Sequence, residues 1–156
     1  MPTLVDTGIL LRGFARTDPQ YREIRRALFS LRRQGEELLA AFQNIAEFMN
    51  VSTRPASARG GYGLSMETTV ERVRFIESAC RIVTENPSSY ARWRELVAQH
   101  GVSGVAVHDA KLIAVMLAHG AQQLLTLNER DFRRYEPEGI IVVTPQSLIA
   151  ASSANS

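Results

Sequence analysis

The chain has 156 residues, of which 45% are hydrophobic and 22% charged, and its formal net charge is +2. That length and balance fit one globular domain with an adequate core, and they exclude a disordered or low-complexity chain. Cys80 is single, which rules out an internal disulfide or a cysteine-ligated metal cluster, and no apolar run approaches the roughly 20 residues of a membrane helix. With no basic and apolar leader at its start, the expected setting is the cytoplasm. All but one of the 18 cations are arginine. Arginine suits bidentate phosphate contacts, although a solvated face or a biased base composition accounts for it equally.

In chain order, Thr3 to Val5 reads as a short buried strand, followed by a helical turn through Ile9, Leu10 and Leu11. Asp18-Pro19 has the form of an N-cap and first-turn proline for a helix bearing Tyr21, Ile24, Leu28 and Leu31 on one face. Gly35 ends it, Leu38 to Phe42 is a second strand, and Asn44 to Val51 a helix with Ile45, Phe48 and Met49 inward. Ser52 to Gly63, rich in glycine and proline, is a connector that spells no phosphate-binding motif. Ser65 caps a helix to Ala79, Arg81 to Thr84 is a strand, and Asn86-Pro87 opens a helix that Gly101 stops. The helix from His108 to His119 is apolar on nearly all sides, which predicts deep burial. Strands at Gln123 to Leu127 and Ile140 to Val143 follow, then a short helix after Pro145 and a frayed tail from Ala151 to Ser156. Strands alternating with helices predict an α/β domain over residues 1–150, a parallel sheet covered on both faces.

The aspartates carry the chemistry. Only four occur: Asp6, Asp18, Asp109 and Asp131. Asp18 is explained as a cap, and Asp109 also fits a first-turn acid favoured by the helix dipole. Asp131 also fits a short helix capped by Asn128. Asp6, beside a buried strand, has no evident local purpose. In open α/β sheets ligands bind beyond the carboxyl ends of the strands, where Asp6 and Asp131 fall and which Asp109 can reach. Glu47 shares a polar stripe with Gln43 and Asn50, and taken alone it looks like a solvent-facing glutamate. Carboxylates gathered at about 4 Å repel by about 4 kcal/mol at an effective dielectric near 20, so protons or a cation must compensate them. A hard divalent ion, Mg²⁺ or Mn²⁺, suits an all-oxygen set. His100, His108 and His119 offer no ligand pattern, and Cys80 has no base partner.

These residues, taken in order, resemble the PIN-domain nucleases, and among them the VapC-type toxin ribonucleases. The matching segments are Leu4-Val5-Asp6-Thr7, Asn44-Ile45-Ala46-Glu47-Phe48, Val107-His108-Asp109-Ala110 and Leu125 to Phe132. The resemblance implies a three-layer α/β/α fold and a metal-dependent endoribonuclease. In it Asp6, Glu47, Asp109 and Asp131 form the acidic quartet. Asp6, Asp109 and Asp131 would hold Mg²⁺ or Mn²⁺, and Glu47 would help position the attacking water. Thr7, Thr126 and Asn128 would orient these acids. Arg12, Arg54, Arg59 and Arg130 are the candidate contacts to RNA phosphates, with Arg133 and Arg134 beside them.

The resemblance also implies a small antitoxin partner, a homodimer and no membrane. Two other readings share the fold: an RNA-processing nuclease without an antitoxin, and a non-catalytic RNA-binding or interaction module. One departure is Gly8, where relatives carry a polar residue two positions after the first aspartate.

Overall fold

The computed structural model describes residues 1–154. Five strands, β1 (Thr3–Val5), β2 (Leu38–Ala41), β3 (Arg81–Val83), β4 (Gln123–Leu125) and β5 (Ile141–Val143), pair in the order β3-β2-β1-β4-β5. Every pairing is parallel, with Leu4 opposite Leu39 on one side and Leu124 on the other.

Side chains alternate across a strand, so a parallel sheet buried on both faces needs apolar residues at every position. Leu4, Leu39, Ala41 and Leu124 point to one face, and Val5, Leu38, Ala40 and Leu125 to the other. The first face is covered by α5 (Pro87–His100) and α6 (Ala106–Ala118), through Leu96, Leu112, Ile113 and Met116. The second is covered by α1 (Thr7–Arg12), α2 (Tyr21–Arg33), α3 (Phe42–Thr53) and α4 (Met66–Ala79), through Ile9, Ile24, Phe48 and Ile76. A short helix α7 (Glu129–Phe132) and a 3₁₀ turn (Arg133–Glu138) lead into β5, and α8 (Pro145–Ala154) packs along α2. The α/β/α sandwich is the expected architecture. The deep burial predicted for α6 is also found: Leu112 to Met116 are all buried.

Several boundaries differ from the sequence reading for local reasons. Asp18 is not the cap of α2. Its Oδ1 accepts from the Gln20 N–H at 2.8 Å and its carbonyl from Tyr21 at 3.1 Å, making a turn ahead of the helix. Phe42 already belongs to α3, which starts directly from the last residue of β2. The helix keeps Ser52 and Thr53, so the connector is shorter than expected. α6 begins at Ala106, which places Asp109 within its first turn. The terminal helix runs to Ala154, through the start of the expected tail; positions 155–156 lie outside the described residues.

Candidate active site

The chain leaves β1 for β2 and β3 on one side, then crosses to β4 and β5 on the other. Connections from neighbouring strands therefore depart in opposite directions at β1 and β4, which opens a crevice at their carboxyl ends. Asp6 follows β1 there, and its N–H donates to the Leu125 carbonyl of β4 at 3.0 Å. Its carboxylate has a local role that the sequence did not reveal. It caps α1, Oδ1 accepting from the Thr7 N–H at 2.9 Å. Serine or asparagine caps as well as aspartate, so capping alone does not require a charge here.

The second oxygen, Oδ2, accepts from the Thr126 hydroxyl at 2.7 Å, and Thr126 Oγ1 itself accepts from the Asn128 N–H at 2.9 Å. Because the peptide N–H can only donate, the hydroxyl proton is directed at Asp6. A parallel arrangement holds Glu47. Asn44 Oδ1 accepts from the Ala41 N–H at 3.0 Å, which fixes the amide, and Nδ2 donates to Thr7 Oγ1 at 3.0 Å. The Thr7 hydroxyl is left to donate to Glu47 Oε2 at 2.7 Å. Asn44 and Thr126 are fully buried. Each acid is thus gripped by a threonine whose polarity an amide donor sets.

Asp109 and Asp131 stand differently. Burial, followed by the charges of Asp131, Asp6 and Glu47, pushes the Asp109 carboxyl up to about 6, with Arg134 opposing. Burial, assisted by Glu47, raises Asp6 as well, while the bonds from Thr126 and the Thr7 N–H pull the other way. Like charges thus act on one another across the crevice. Among the described residues none of the four acids has an ion-pair partner within 4.0 Å. Among the described residues no three His, Cys, Asp or Glu side chains stand close enough together to hold an ion as they are placed. The four acids offer hard oxygen donors, the ligand chemistry of divalent ions, and Arg134 is the cation that acts on Asp109 from beyond ion-pair distance.

Thr7 thus donates to Glu47, and Thr126 to Asp6. Asn128 contributes through its peptide N–H and makes no side-chain cap on α7. In the sequence Asn44 is a helix start and the first residue of a matching segment, with no role of its own, and Gln43 is polar-stripe company for Glu47. An asparagine three positions before a glutamate at the start of a helix is the available signal for the first. The arginines are dispersed. Arg12 is engaged by Gln20 at 2.7 Å and lies 3.7 Å from Asp18, and Arg54 holds the Arg59 carbonyl at 3.0 Å. Arg59 and Arg130 are exposed. Arg133 pairs with Glu129 at 2.9 Å, and Arg134 is the cation that acts on Asp109.

The fold recurs in solved toxin–antitoxin structures. VapBC2 from Rickettsia felis is similar with a TM-score of 0.67 and 16% identity, over 92% of this chain and 98% of that one. VapBC-1 from nontypeable Haemophilus influenzae gives 0.64 and 14%, over 94% and 99%. A toxin–antitoxin complex from Klebsiella pneumoniae gives 0.61 and 23%, over 92% and 97%. No curated protein sequence matches the chain. At these identities the likeness is one of fold, and the PIN domain model supplies the kinship by matching residues 3–137, from β1 past all four acids: the chain belongs to the PIN domain family.

Proposed function

We propose that this chain is a metal-dependent endoribonuclease of the VapC type, the toxin half of a toxin–antitoxin pair. The observation that carries the reading is the pair of threonine-gripped carboxylates, Asp6 and Glu47, beside an Asp109 pushed up to about 6 by burial and by its acidic neighbours. Asp6, Asp109 and Asp131 are the residues to hold Mg²⁺ or Mn²⁺, an ion that supplies charge neutralisation at a phosphodiester and acidifies water. Glu47, with one neutral donor on each oxygen, is a fixed acceptor for the proton of the attacking water. Thr7 and Thr126 keep the two acids in place, and Arg130 and Arg134 offer the nearby positive charge for an RNA backbone.

The neighbours from Haemophilus influenzae and Rickettsia felis are VapBC pairs. That pairing supports a small antitoxin as this chain's partner, and a homodimer of toxin subunits acting in the cytoplasm completes the proposal. No helix among the described residues is long and apolar enough to cross a membrane. The test is cleavage of bulk tRNA by purified protein with Mg²⁺, with EDTA, and by Asp6→Asn. Chelator-insensitive cleavage, or full activity in the variant, would refute the metal mechanism.

A further inference from the structure

We propose that Gln43 is a positioning residue for Glu47, a donor clamp that supports turnover rather than the stability of the fold. The inference rests on the nuclease reading above. Gln43 lies one helical turn before Glu47 on α3, where residues four apart face each other. Its Nε2 donates to Glu47 Oε1 at 3.1 Å and to the His108 carbonyl of α6 at 3.2 Å. A side-chain amide has two N–H donors, and here each serves a different element. The His108 carbonyl belongs to the peptide that leads into Asp109, so the clamp spans from one acid to the backbone of another. With Thr7 on Oε2, Glu47 is held at both oxygens by groups from α1 and α3, and through Gln43 it is tied to α6.

The orientation of the amide is determined by its surroundings. Turning it over would place Oε1 against a carboxylate and a carbonyl, both acceptors. In the orientation present, Oε1 is buried and has no hydrogen-bond partner among the described residues. A buried unpaired acceptor works against stability. Leucine or methionine would occupy the same helix position without it. The residue is therefore costly for the fold and useful for the donors that it places.

The discriminating experiment compares wild type, Gln43→Leu, Gln43→Glu and Asp109→Asn, each assayed on bulk tRNA with Mg²⁺ and unfolded in urea. Gln43→Leu removes the donors, and Gln43→Glu keeps the shape while replacing the donating nitrogen. Expected is a fall in kcat of about 10- to 100-fold in both Gln43 variants, with KM within about twofold of wild type. The urea midpoint of Gln43→Leu should be unchanged or raised. Wild-type kcat in either variant overturns the inference. So does a joint fall of urea midpoint and activity in both, which assigns Gln43 to packing. Absence of cleavage by wild type itself with Mg²⁺ and with Mn²⁺ brings down the nuclease reading, and this one with it; activity lost only in Asp109→Asn brings down this one alone.

Discussion

Replacing Asp109 with asparagine should make the metal-free protein more stable at neutral pH while abolishing its proposed activity. The Asp109 carboxyl moves from an ordinary value of 3.8 to about 6 on folding. At 1.36 kcal/mol per tenfold, that change corresponds to about 3 kcal/mol between protonated and ionised forms. The carboxyl is partly open to water, so screening reduces the effect to about 1–2 kcal/mol. Because the folded chain holds this proton more tightly than the unfolded chain, stability is fullest below the ordinary carboxylate range. It falls as pH rises towards about 6 and levels off beyond. Asp6, also raised, adds in the same direction. Urea denaturation in EDTA should therefore show Asp109→Asn ahead of wild type by about 1–2 kcal/mol at pH 7.5, with the gap closing towards pH 4. Millimolar Mg²⁺ should stabilise wild type by mass action and the variant less. A gap that is absent at pH 7.5, or constant across the pH range, would refute the account of Asp109 as a carboxyl whose charge is opposed by burial and by its acidic neighbours.

Thr126→Val strands the Asn128 N–H and removes the donor on Asp6 Oδ2. It should cost about 1–3 kcal/mol in urea and raise the Mg²⁺ concentration needed for cleavage; an unchanged requirement would contradict the orienting role of Thr126. Gly8→Ser should be accepted, since a Cβ there meets only Leu127 Cδ1 at 3.7 Å. The gain from helix propensity is about 0.5 kcal/mol, read as a higher thermal midpoint, and a lower midpoint would show that the space is illusory. Burial pushes the Cys80 thiol up to about 11, against a lesser pull from Arg32. In the native protein it should react with a disulfide reagent at pH 8 about 100-fold more slowly than in the urea-unfolded chain, and equal rates would contradict its burial.

The layers of the fold were legible because strands buried on both faces leave uninterrupted apolar runs, as Leu38 to Ala41 does, and because Ser65 and Asn86 cap helices through their own side chains. Helix starts that lack such a cap were misplaced: α3 follows β2 without a break, and α6 begins at Ala106 with no side-chain cap. The site was legible only in part. Periodicity gave Glu47 the look of an exposed glutamate, because its hydrogen-bond donor Thr7 lies 40 positions earlier in the chain. The cap made by Asp6 is local, but it opens a helix of only six residues, and the bond from Thr126 is what sets this carboxylate apart from an ordinary cap. The bonds from Thr7 to Glu47 and from Thr126 to Asp6 have no local signature, since both depend on the order in which the strands are laid down in the sheet.

That strand order also sets when the crevice can exist. The grip of Thr7 on Glu47 is internal to the first third of the chain, whereas the grip of Thr126 on Asp6 joins residues 120 positions apart. In a chain still being synthesised, Thr7, Gln43 and Glu47 have all emerged once α3 is made, and only the α6 carbonyl that anchors Gln43 comes later. The Asp6 half waits until β4 is made and has docked beside β1, a closure of high contact order and therefore slow. A protein proposed to cut RNA is thus without its assembled acids for most of its own translation, while it is still tethered to a ribosome made largely of RNA.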